Sequence, residues 1–178
     1  MKIIALCLLL ATAATAAPSG KPMFKRGLNK IVGGHDVAPG DVPYQISFQD
    51  TSYMTPFHFC GGSIYSEEFM ITAGHCVASE SEDDPYNLQI VAGDNNLFED
   101  DGTEQVRKVI RIVKNDDFNY GDLTNDVSLL QVETPLVFDD YTSAVTLPQP
   151  FEEFTGDAVV TGWGALTEGG GSPDVLQS

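Results

Sequence analysis

The sequence predicts an all-β fold, either a barrel or a sandwich. Short runs rich in β-branched and aromatic residues recur at near-regular intervals after Ile31, which is typical of these two folds. Turn-rich segments such as Pro39-Gly40-Asp41 and Asp94-Asn95-Asn96 separate the runs. The 178 residues are 42% apolar, so the chain carries enough apolar side chains to form a core. This length suits one domain, or one domain and part of another.

Seven runs carry the strand pattern. The predicted strands are residues 44–48, 59–65, 69–72, 88–92, 106–113, 127–132 and 158–161. The fifth run is ambiguous, because its apolar residues Val106, Val109, Ile110 and Val113 also fall at helical spacing. Its β-branched content and the turns on either side favour a strand.

Two segments precede the β-rich part of the chain. Residues 1–16 combine an apolar run with the small residues Ala14-Thr15-Ala16, the pattern of a secretory signal peptide. Residues 17–30 are polar, basic and rich in Gly and Pro, which indicates a linker or pro-segment rather than folded structure. The apolar run is too short for a membrane anchor. The protein is therefore expected to be secreted and extracellular, with no membrane-bound part.

The charge is distributed unevenly along the chain. Five of the nine Lys and Arg residues precede Ile31, whereas none of the 26 Asp and Glu residues do. From Ile31 onward, four basic residues face 26 acidic residues, a formal balance of −22. Such a surface argues against nucleic acid as a partner, because phosphates require basic side chains. It fits either a solvated acidic surface or the attraction of cationic ligands.

The cysteines leave one pair in the body of the chain. Cys7 lies in the N-terminal apolar run, so Cys60 and Cys76 remain, and His75 directly precedes the second of them. In an exported protein this pair suggests a disulfide, which would fix the backbone beside His75. A zinc site is the poorer interpretation, because the other histidines, His35 and His58, are not spaced as zinc ligands. The alternative is a small disulfide-tied hairpin in which His75 has no catalytic role.

Five short motifs occur in a fixed order along the chain. They are Lys30 followed by Ile31-Val32-Gly33-Gly34, then His58-Phe59-Cys60-Gly61-Gly62-Ser63, Thr72-Ala73-Gly74-His75-Cys76, Asn125-Asp126-Val127-Ser128-Leu129-Leu130, and Thr161-Gly162-Trp163-Gly164. In this order they resemble the trypsin/chymotrypsin family of secreted serine endopeptidases, and the resemblance runs from Ile31 nearly to the end. One residue departs from the family pattern, because Gly74 stands where the family usually has Ala.

The resemblance implies a role for two residues that lie far apart in the sequence. His75 would be the general base, and Asp126 the buried carboxylate that orients its imidazole. The residue chemistry agrees, because a neutral histidine titrates near working pH and a buried carboxylate needs a partner. A turn or cap aspartate beside Asn125 is the alternative for Asp126. The resemblance also implies that cleavage between Lys30 and Ile31 activates a zymogen.

The same resemblance implies a double β-barrel with the active site between the barrels. The peptidase domain would span residues 31–178 and be incomplete at its C-terminus, with the first barrel complete and the second only begun. The family's nucleophilic serine lies in a Gly-Asp-Ser-Gly-Gly segment that does not occur in this sequence, and Ser63, Ser172 and Ser178 lie in other contexts. The chain as written is therefore expected to be inactive. His58 resembles the histidine that holds an aspartate before activation, and that aspartate belongs to the absent segment.

One acidic loop is a candidate calcium site. It contains the oxygen-bearing side chains of Asp94, Asn96, Glu99, Asp101 and Glu104. The separation of Asp94 from Glu104 resembles the calcium loop of the trypsins, and hard oxygen ligands at this density suit Ca²⁺. A solvated acidic turn explains the same residues, so both interpretations stay open. No cofactor is expected to be required.

The predicted function is that of a serine-type endopeptidase zymogen. By resemblance it would cut protein or peptide substrates after Lys or Arg, be bound by protease inhibitors, and act as a monomer. A non-catalytic homologue that serves as a secreted binding protein is the first alternative, and a small acidic calcium-binding β-protein is the second. The transcript beyond Ser178 discriminates between the first two: Gly-Asp-Ser-Gly-Gly indicates an enzyme, and a substituted serine indicates a binding protein.

Overall fold

The computed structural model describes residues 31, 33–167 and 169–178. Its regular elements are six strands and one short 3₁₀ helix, in the order β1 (Gln45–Asp50), β2 (Phe57–Ile64), β3 (Phe69–Thr72), the 3₁₀ helix (Gly74–Val77), β4 (Leu88–Ala92), β5 (Gln105–Lys114) and β6 (Ser128–Val132). The predicted signal peptide at 1–16, the pro-segment at 17–30 with Lys30, and Cys7 lie outside the described residues.

The six strands form one closed antiparallel barrel. The order around the barrel is β1, β2, β3, β6, β5 and β4, with β4 pairing back onto β1. Hairpin neighbours β1 and β2 pair from Gln45 opposite Ser63. β3 pairs with β6, which is not its neighbour in the sequence, and Thr72 lies opposite Ser128. Closure leaves no open sheet edge among these strands, which removes the aggregation risk that an edge carries.

Alternating apolar side chains fill the barrel. Phe48 of β1, Ile90 of β4, Ile112 of β5 and Leu130 of β6 are all buried in one cluster. Because side chains of a strand point alternately to its two faces, each strand contributes every second residue to this core. β5 breaks the alternation with a register shift between Val109 and Arg111, and this bulge turns Ile110 outward while Val109 and Ile112 face inward.

The all-β prediction is confirmed, and so is the predicted first barrel. Six of the seven predicted runs are strands, and their observed bounds differ from the predicted ones by two residues or fewer. The ambiguous run at 106–113 is part of a strand, β5. A membrane-spanning helix is not found among the described residues.

The predicted seventh strand is wrong. Residues 158–161 form no strand, and Val159 and Val160 are largely exposed. A strand is stable only when a neighbour satisfies its backbone groups, and no described residue pairs with this run. The nearest pairing is an isolated bridge between Gly162 and Gln177. Among the described residues after Val132, β-pairing is limited to such isolated bridges.

A second, smaller cluster joins the two ends of the described chain. Trp163 is buried against Val37 and Leu176, and its indole Nε1 donates to the carbonyl of Asn95 at 3.1 Å. The amide of Val37 donates to the carbonyl of Leu176 at 2.8 Å. These contacts hold residues 161–165 and 175–178 against the barrel.

Candidate active site

The barrel register brings His75 and Asp126 to the same end of the sheet. Thr72 closes β3 opposite Ser128, the first residue of β6. His75 lies three residues beyond Thr72, and Asp126 lies two residues before Ser128. Because β3 and β6 are antiparallel, the chain that leaves one strand lies beside the chain that enters the other. Residues 51 positions apart in the sequence are therefore neighbours.

Asp126 contacts His75 through both of its carboxylate oxygens. The distance from His75 Nδ1 to Asp126 Oδ2 is 2.7 Å, and the backbone amide of His75 donates to Asp126 Oδ1, also at 2.7 Å. The two side chains are 29% and 21% exposed. Since an ionised carboxylate only accepts hydrogen bonds, Nδ1 carries the proton. This tautomer directs the lone pair of Nε2 away from Asp126.

The electrostatics of Asp126 favour its ionised form. Burial raises the pKa of this carboxyl, but the hydrogen bonds from the ring and amide of His75, the imidazole charge and the Gly74 backbone together lower it below its ordinary value. The carboxylate is therefore charged at neutral pH and stabilises a proton taken up by the imidazole. The arrangement can move a proton to and from Nε2.

Close packing explains why position 74 carries a glycine instead of a residue with a side chain. A Cβ built at position 74 would lie 3.2 Å from the Phe118 ring and 3.3 Å from Asp126 Oδ1. Both separations are tighter than ordinary van der Waals contact, so alanine would require the Phe118 ring to shift. Sequence reasoning noted the departure at Gly74 but missed Phe118, because nothing in the loop sequence around Phe118 signals that it packs on the 3₁₀ helix.

The predicted disulfide is present. Cys60 and Cys76 are bonded, with their Cα atoms 6.4 Å apart. The bond ties the 3₁₀ helix that carries His75 to the middle of β2. Both sulfurs are used in the bond, so they cannot act as thiolate ligands of zinc, although Cys60, His75 and Cys76 lie close together.

His58 lies at the end of a chain of buried hydrogen bonds. Gln49 Nε2 donates to Ser47 Oγ at 3.0 Å, and Ser47 Oγ lies 2.8 Å from His58 Nδ1. The serine hydroxyl accepts from Gln49 and keeps its own proton available for His58. When that proton is donated to Nδ1, His58 is the tautomer protonated at Nε2. The imidazole also packs edge-on against Trp163, with ring centroids 5.2 Å apart. Sequence reasoning missed both Ser47 and Gln49 as partners.

The stability of the fold is expected to depend on the neutral form of His58. Burial lowers the pKa of His58 from 6.5 to about 4, so the unfolded chain takes up a proton first as the pH falls. The free energy of unfolding should therefore have its full value above pH 6.5 and decrease as the pH falls from 6.5 towards 4. Urea unfolding of the wild type and His58→Gln across this range measures the difference. The exposed His35→Gln is the matched control, and an unchanged pH slope in His58→Gln would contradict the assignment.

The acidic loop brings together three of its five predicted calcium ligands. Carboxylate oxygens of Asp94, Asp101 and Glu104 all lie within 4.8 Å of one another. The Glu99 carboxylate does not join this group, and Asn96 Oδ1 instead accepts from the amide of Phe98 at 3.1 Å. Three of the five predicted side chains therefore place carboxylate oxygens close together.

Loop amides hold two of these carboxylates in place. Asp101 Oδ2 accepts from the amides of Asn95 and Asn96, each at 3.0 Å. Glu104 accepts from the amides of Asp101 at 2.6 Å and Thr103 at 2.9 Å. The pKa of Asp94 is raised to about 6 by burial and by the negative charges of Glu104 and Asp101. The loop thus concentrates negative charge in a fixed geometry, and a cation would neutralise it.

Comparison with known proteins agrees with this geometry. The sequence profile of the family described as Trypsin matches residues 31–178. The chain is 46% identical over 147 residues to "Trypsin-1" of Astacus astacus, a match that covers 83% of this chain and 62% of that protein. It is 33% identical to "Putative trypsin-6" of Homo sapiens and 32% identical to "Trypsin I-P1" of Gallus gallus, each over 84% of this chain and 56% of the relative. The chain therefore spans less than two thirds of the length of these relatives.

Proposed function

The chain belongs to the trypsin family, and from that premise we propose that His75 and Asp126 are the general base and the orienting carboxylate of a secreted serine endopeptidase. The observation that carries this proposal is the double contact of Asp126, which accepts from both the ring and the backbone amide of His75 at 2.7 Å. A carboxylate held at two points fixes both the tautomer and the orientation of the imidazole, which a general base requires.

The proposed chemistry is acyl transfer. His75 Nε2 takes the proton of a serine hydroxyl while the serine oxygen bonds to the carbonyl carbon of the substrate. The π pair of the carbonyl moves to its oxygen, which gives a tetrahedral intermediate with an oxyanion. The protonated imidazole then gives that proton to the leaving amine as the C–N bond breaks. Water repeats the two steps on the acyl-enzyme and restores the serine. Asp126 stays ionised throughout and stabilises the imidazolium.

The nucleophile of this mechanism is not identified within residues 1–178. The Gly-Asp-Ser-Gly-Gly segment of the family does not occur in the printed sequence. We therefore propose that a polypeptide consisting of these residues alone does not hydrolyse peptide bonds. Titration of the purified chain with an active-site serine reagent tests this, and stoichiometric labelling would contradict it.

The remaining properties of the proposed enzyme concern its maturation and its partners. Cleavage between Lys30 and Ile31 would activate the zymogen, and the active enzyme would cut protein or peptide substrates after Lys or Arg. Secretion is supported by the Cys60–Cys76 disulfide, because such bonds persist in oxidising compartments. Protease inhibitors are the proposed protein partners, and the proposed state is a monomer.

The decisive experiment expresses the complete open reading frame of the transcript. The product is activated by cleavage after Lys30, and hydrolysis of peptides with Arg or Lys before the scissile bond is measured. Activity that His75→Ala removes supports the proposal. A reading frame that carries the segment with its serine replaced, and a product without activity, would indicate a secreted binding protein instead.

We also propose that the acidic loop holds a structural calcium ion. The donor set fits the group, because carboxylate and carbonyl oxygens are the ligands that Ca²⁺ takes in proteins. Asp94, Asp101 and Glu104 would hold the ion, with loop carbonyls completing its shell. The ion would cancel the repulsion among the three carboxylates and so stabilise the loop between β4 and β5.

Removal of calcium is expected to lower the unfolding temperature of the wild type, and Asp94→Asn is expected to abolish this difference. A ligand at hundredfold excess over its Kd contributes about 2.7 kcal/mol of stability. In a chelator, the raised pKa of Asp94 means that the wild type loses stability as the pH rises through about 6, so Asp94→Asn should then be the more stable protein at pH 7.5. Thermal unfolding with calcium and with chelator measures both effects.

Asp100→Asn is the matched control for this prediction. It removes one negative charge from the same loop, but Asp100 is exposed and lies outside the three-carboxylate group. Its response to calcium should equal that of the wild type. An equal loss of response in Asp94→Asn and Asp100→Asn would show that only the net charge of the loop matters.

A further inference from the structure

All basic residues that follow Ile31 lie on a single strand. They are Arg107, Lys108, Arg111 and Lys114, and every one of them belongs to β5, which spans Gln105–Lys114. The loops that connect the other strands contain many acidic residues but no Lys or Arg. A protease that cuts after Lys or Arg therefore finds its recognition residues at one place in this part of the chain.

β5 pairs with both of its neighbours in the closed barrel, with β4 along Gln105–Lys108 and with β6 along Val109–Lys114. Arg107 and Lys108 lie opposite Ile90 and Gln89 of β4, whereas Arg111 and Lys114 lie opposite residues of β6. The carbonyl of Lys108 also accepts from the amide of Glu133 at 2.9 Å. A protease cuts a peptide bond only after the segment has left its sheet and extended into the cleft of the enzyme. Release of β5 opens the barrel on two sides at once.

The side chain of Lys114 adds a second restraint at the end of the strand. The bond after Lys114 leads into the loop that follows β5 and would be the first to fray. Its ammonium donates to the carbonyls of Glu80 at 2.6 Å and Ala78 at 3.3 Å, so it is engaged beside the 3₁₀ helix. Arg107 is held in a similar way, with Nε donating to the carbonyl of Pro135 at 3.2 Å.

We propose that this placement makes residues 31–178 resistant to Lys/Arg-specific proteolysis for as long as the barrel is folded. The four susceptible bonds are exposed only when the barrel opens. The biological meaning rests on the proposed function: a protease that cuts after Lys or Arg could be activated at Lys30, yet active copies of it would leave this folded part intact. Self-digestion would then follow unfolding instead of preceding it.

The test uses the full chain and an external protease, so its result is independent of whether the chain itself is catalytic. Purified chain is digested with a commercial trypsin, and the products are identified by mass spectrometry and N-terminal sequencing. The protease should trim the chain ahead of Ile31 and leave the remainder intact. In urea above the unfolding midpoint, cuts should appear at least about 10³-fold faster after Arg107, Lys108, Arg111 and Lys114. The reason is that a folded domain in water exists in its unfolded form at no more than about one part in 10³.

Two variants introduce a lysine, a recognition residue of the protease, into an exposed segment. Met54 lies in the connection between β1 and β2 and is fully exposed, and Thr155 lies in the exposed segment after β6. Met54→Lys and Thr155→Lys should each be cut rapidly at the new residue in the folded protein. Met54→Gln and Thr155→Gln are the matched controls and should remain intact. Circular dichroism confirms that each variant is folded before digestion.

A Glu-specific protease completes the design. It should cut the native wild type after exposed loop residues such as Glu99 and Glu152. This result would show that these segments are accessible and lack only a Lys or Arg. If β5 of the native wild type were cut as fast as the loop of Met54→Lys, the proposal would be overturned. Resistance of both folded lysine variants would overturn it as well, because protection would then not depend on where the basic residues lie.

Discussion

Asp126→Asn is expected to lower the kcat of the proposed enzyme by about 10⁴-fold, a loss that is already known for the triad aspartate of this family and is not calculated from this structure. The structure supplies the reason. Both oxygens of Asp126 accept from His75, and an asparagine amide offers only one acceptor. The backbone amide of His75 can only donate, so it takes the single amide oxygen, and the new NH2 group faces Nδ1. Nδ1 must then accept, which leaves the ring proton on Nε2. An imidazole protonated at Nε2 cannot take the proton of the nucleophile.

Two measurements separate this effect from simple misfolding. Nitrogen-resolved NMR of the His75 ring reports which nitrogen carries the proton, and it can be recorded on the 178-residue chain without any activity. We expect the proton on Nδ1 in the wild type and on Nε2 in Asp126→Asn. Asp116→Asn, which makes the same charge change at an exposed position of the preceding loop, should keep the wild-type tautomer and rate. A wild-type tautomer in Asp126→Asn would contradict the assigned role.

Loss of the Cys60–Cys76 disulfide is expected to cost about 3 kcal/mol of stability. The bond joins residues 16 positions apart, and closing a loop of this size removes conformational entropy from the unfolded chain and so raises its free energy by about that amount. For a domain of this length, the loss corresponds to a fall of roughly 6–12 °C in the unfolding temperature. Cys60→Ser combined with Cys76→Ser, followed by thermal unfolding, measures it.

A reducing agent provides the matched control for the disulfide. It should lower the unfolding temperature of the wild type to that of the double serine variant and leave the variant unchanged. An equal response of both proteins to the reductant would show that the effect does not come from this bond. The His75 resonances of the double variant should also broaden, because the 3₁₀ helix that carries His75 would no longer be tied to β2.

Much of the fold could be predicted because strand signals are local. The first six runs are rich in β-branched and aromatic residues, and turn-rich segments separate them. The run at 158–161 shows the limit of this reasoning. It has the apolar and β-branched composition of a strand, yet Val159 and Val160 are largely exposed. Composition determines whether a segment can pair, whereas pairing requires a neighbour that a local pattern does not reveal.

The candidate site divides in the same way. His75 could be singled out from its position beside Cys76, and the Cys60–Cys76 bond followed from the only pair of cysteines in the body of the chain. The packing of Phe118 on Gly74 and the hydrogen bond between Ser47 and His58 could not be predicted, since each joins segments whose separation in space depends on barrel register. The arrangement of the acidic loop could not be predicted for a related reason: sequence proximity does not show that Asn96 Oδ1 accepts from the Phe98 amide.

By itself, the sequence determined the strands, the cysteine pair and the confinement of basic residues to one run, because these are properties of residue type and spacing along the chain. Only the tertiary structure decided that Thr72 lies opposite Ser128, that Asp126 thereby meets His75, and that β5 carries a bulge that turns Ile110 outward. The physical reason is that register is set by the simultaneous packing of six strands around one core. A shift of one residue in any pair would move its side chains to the other face and separate the imidazole from its carboxylate.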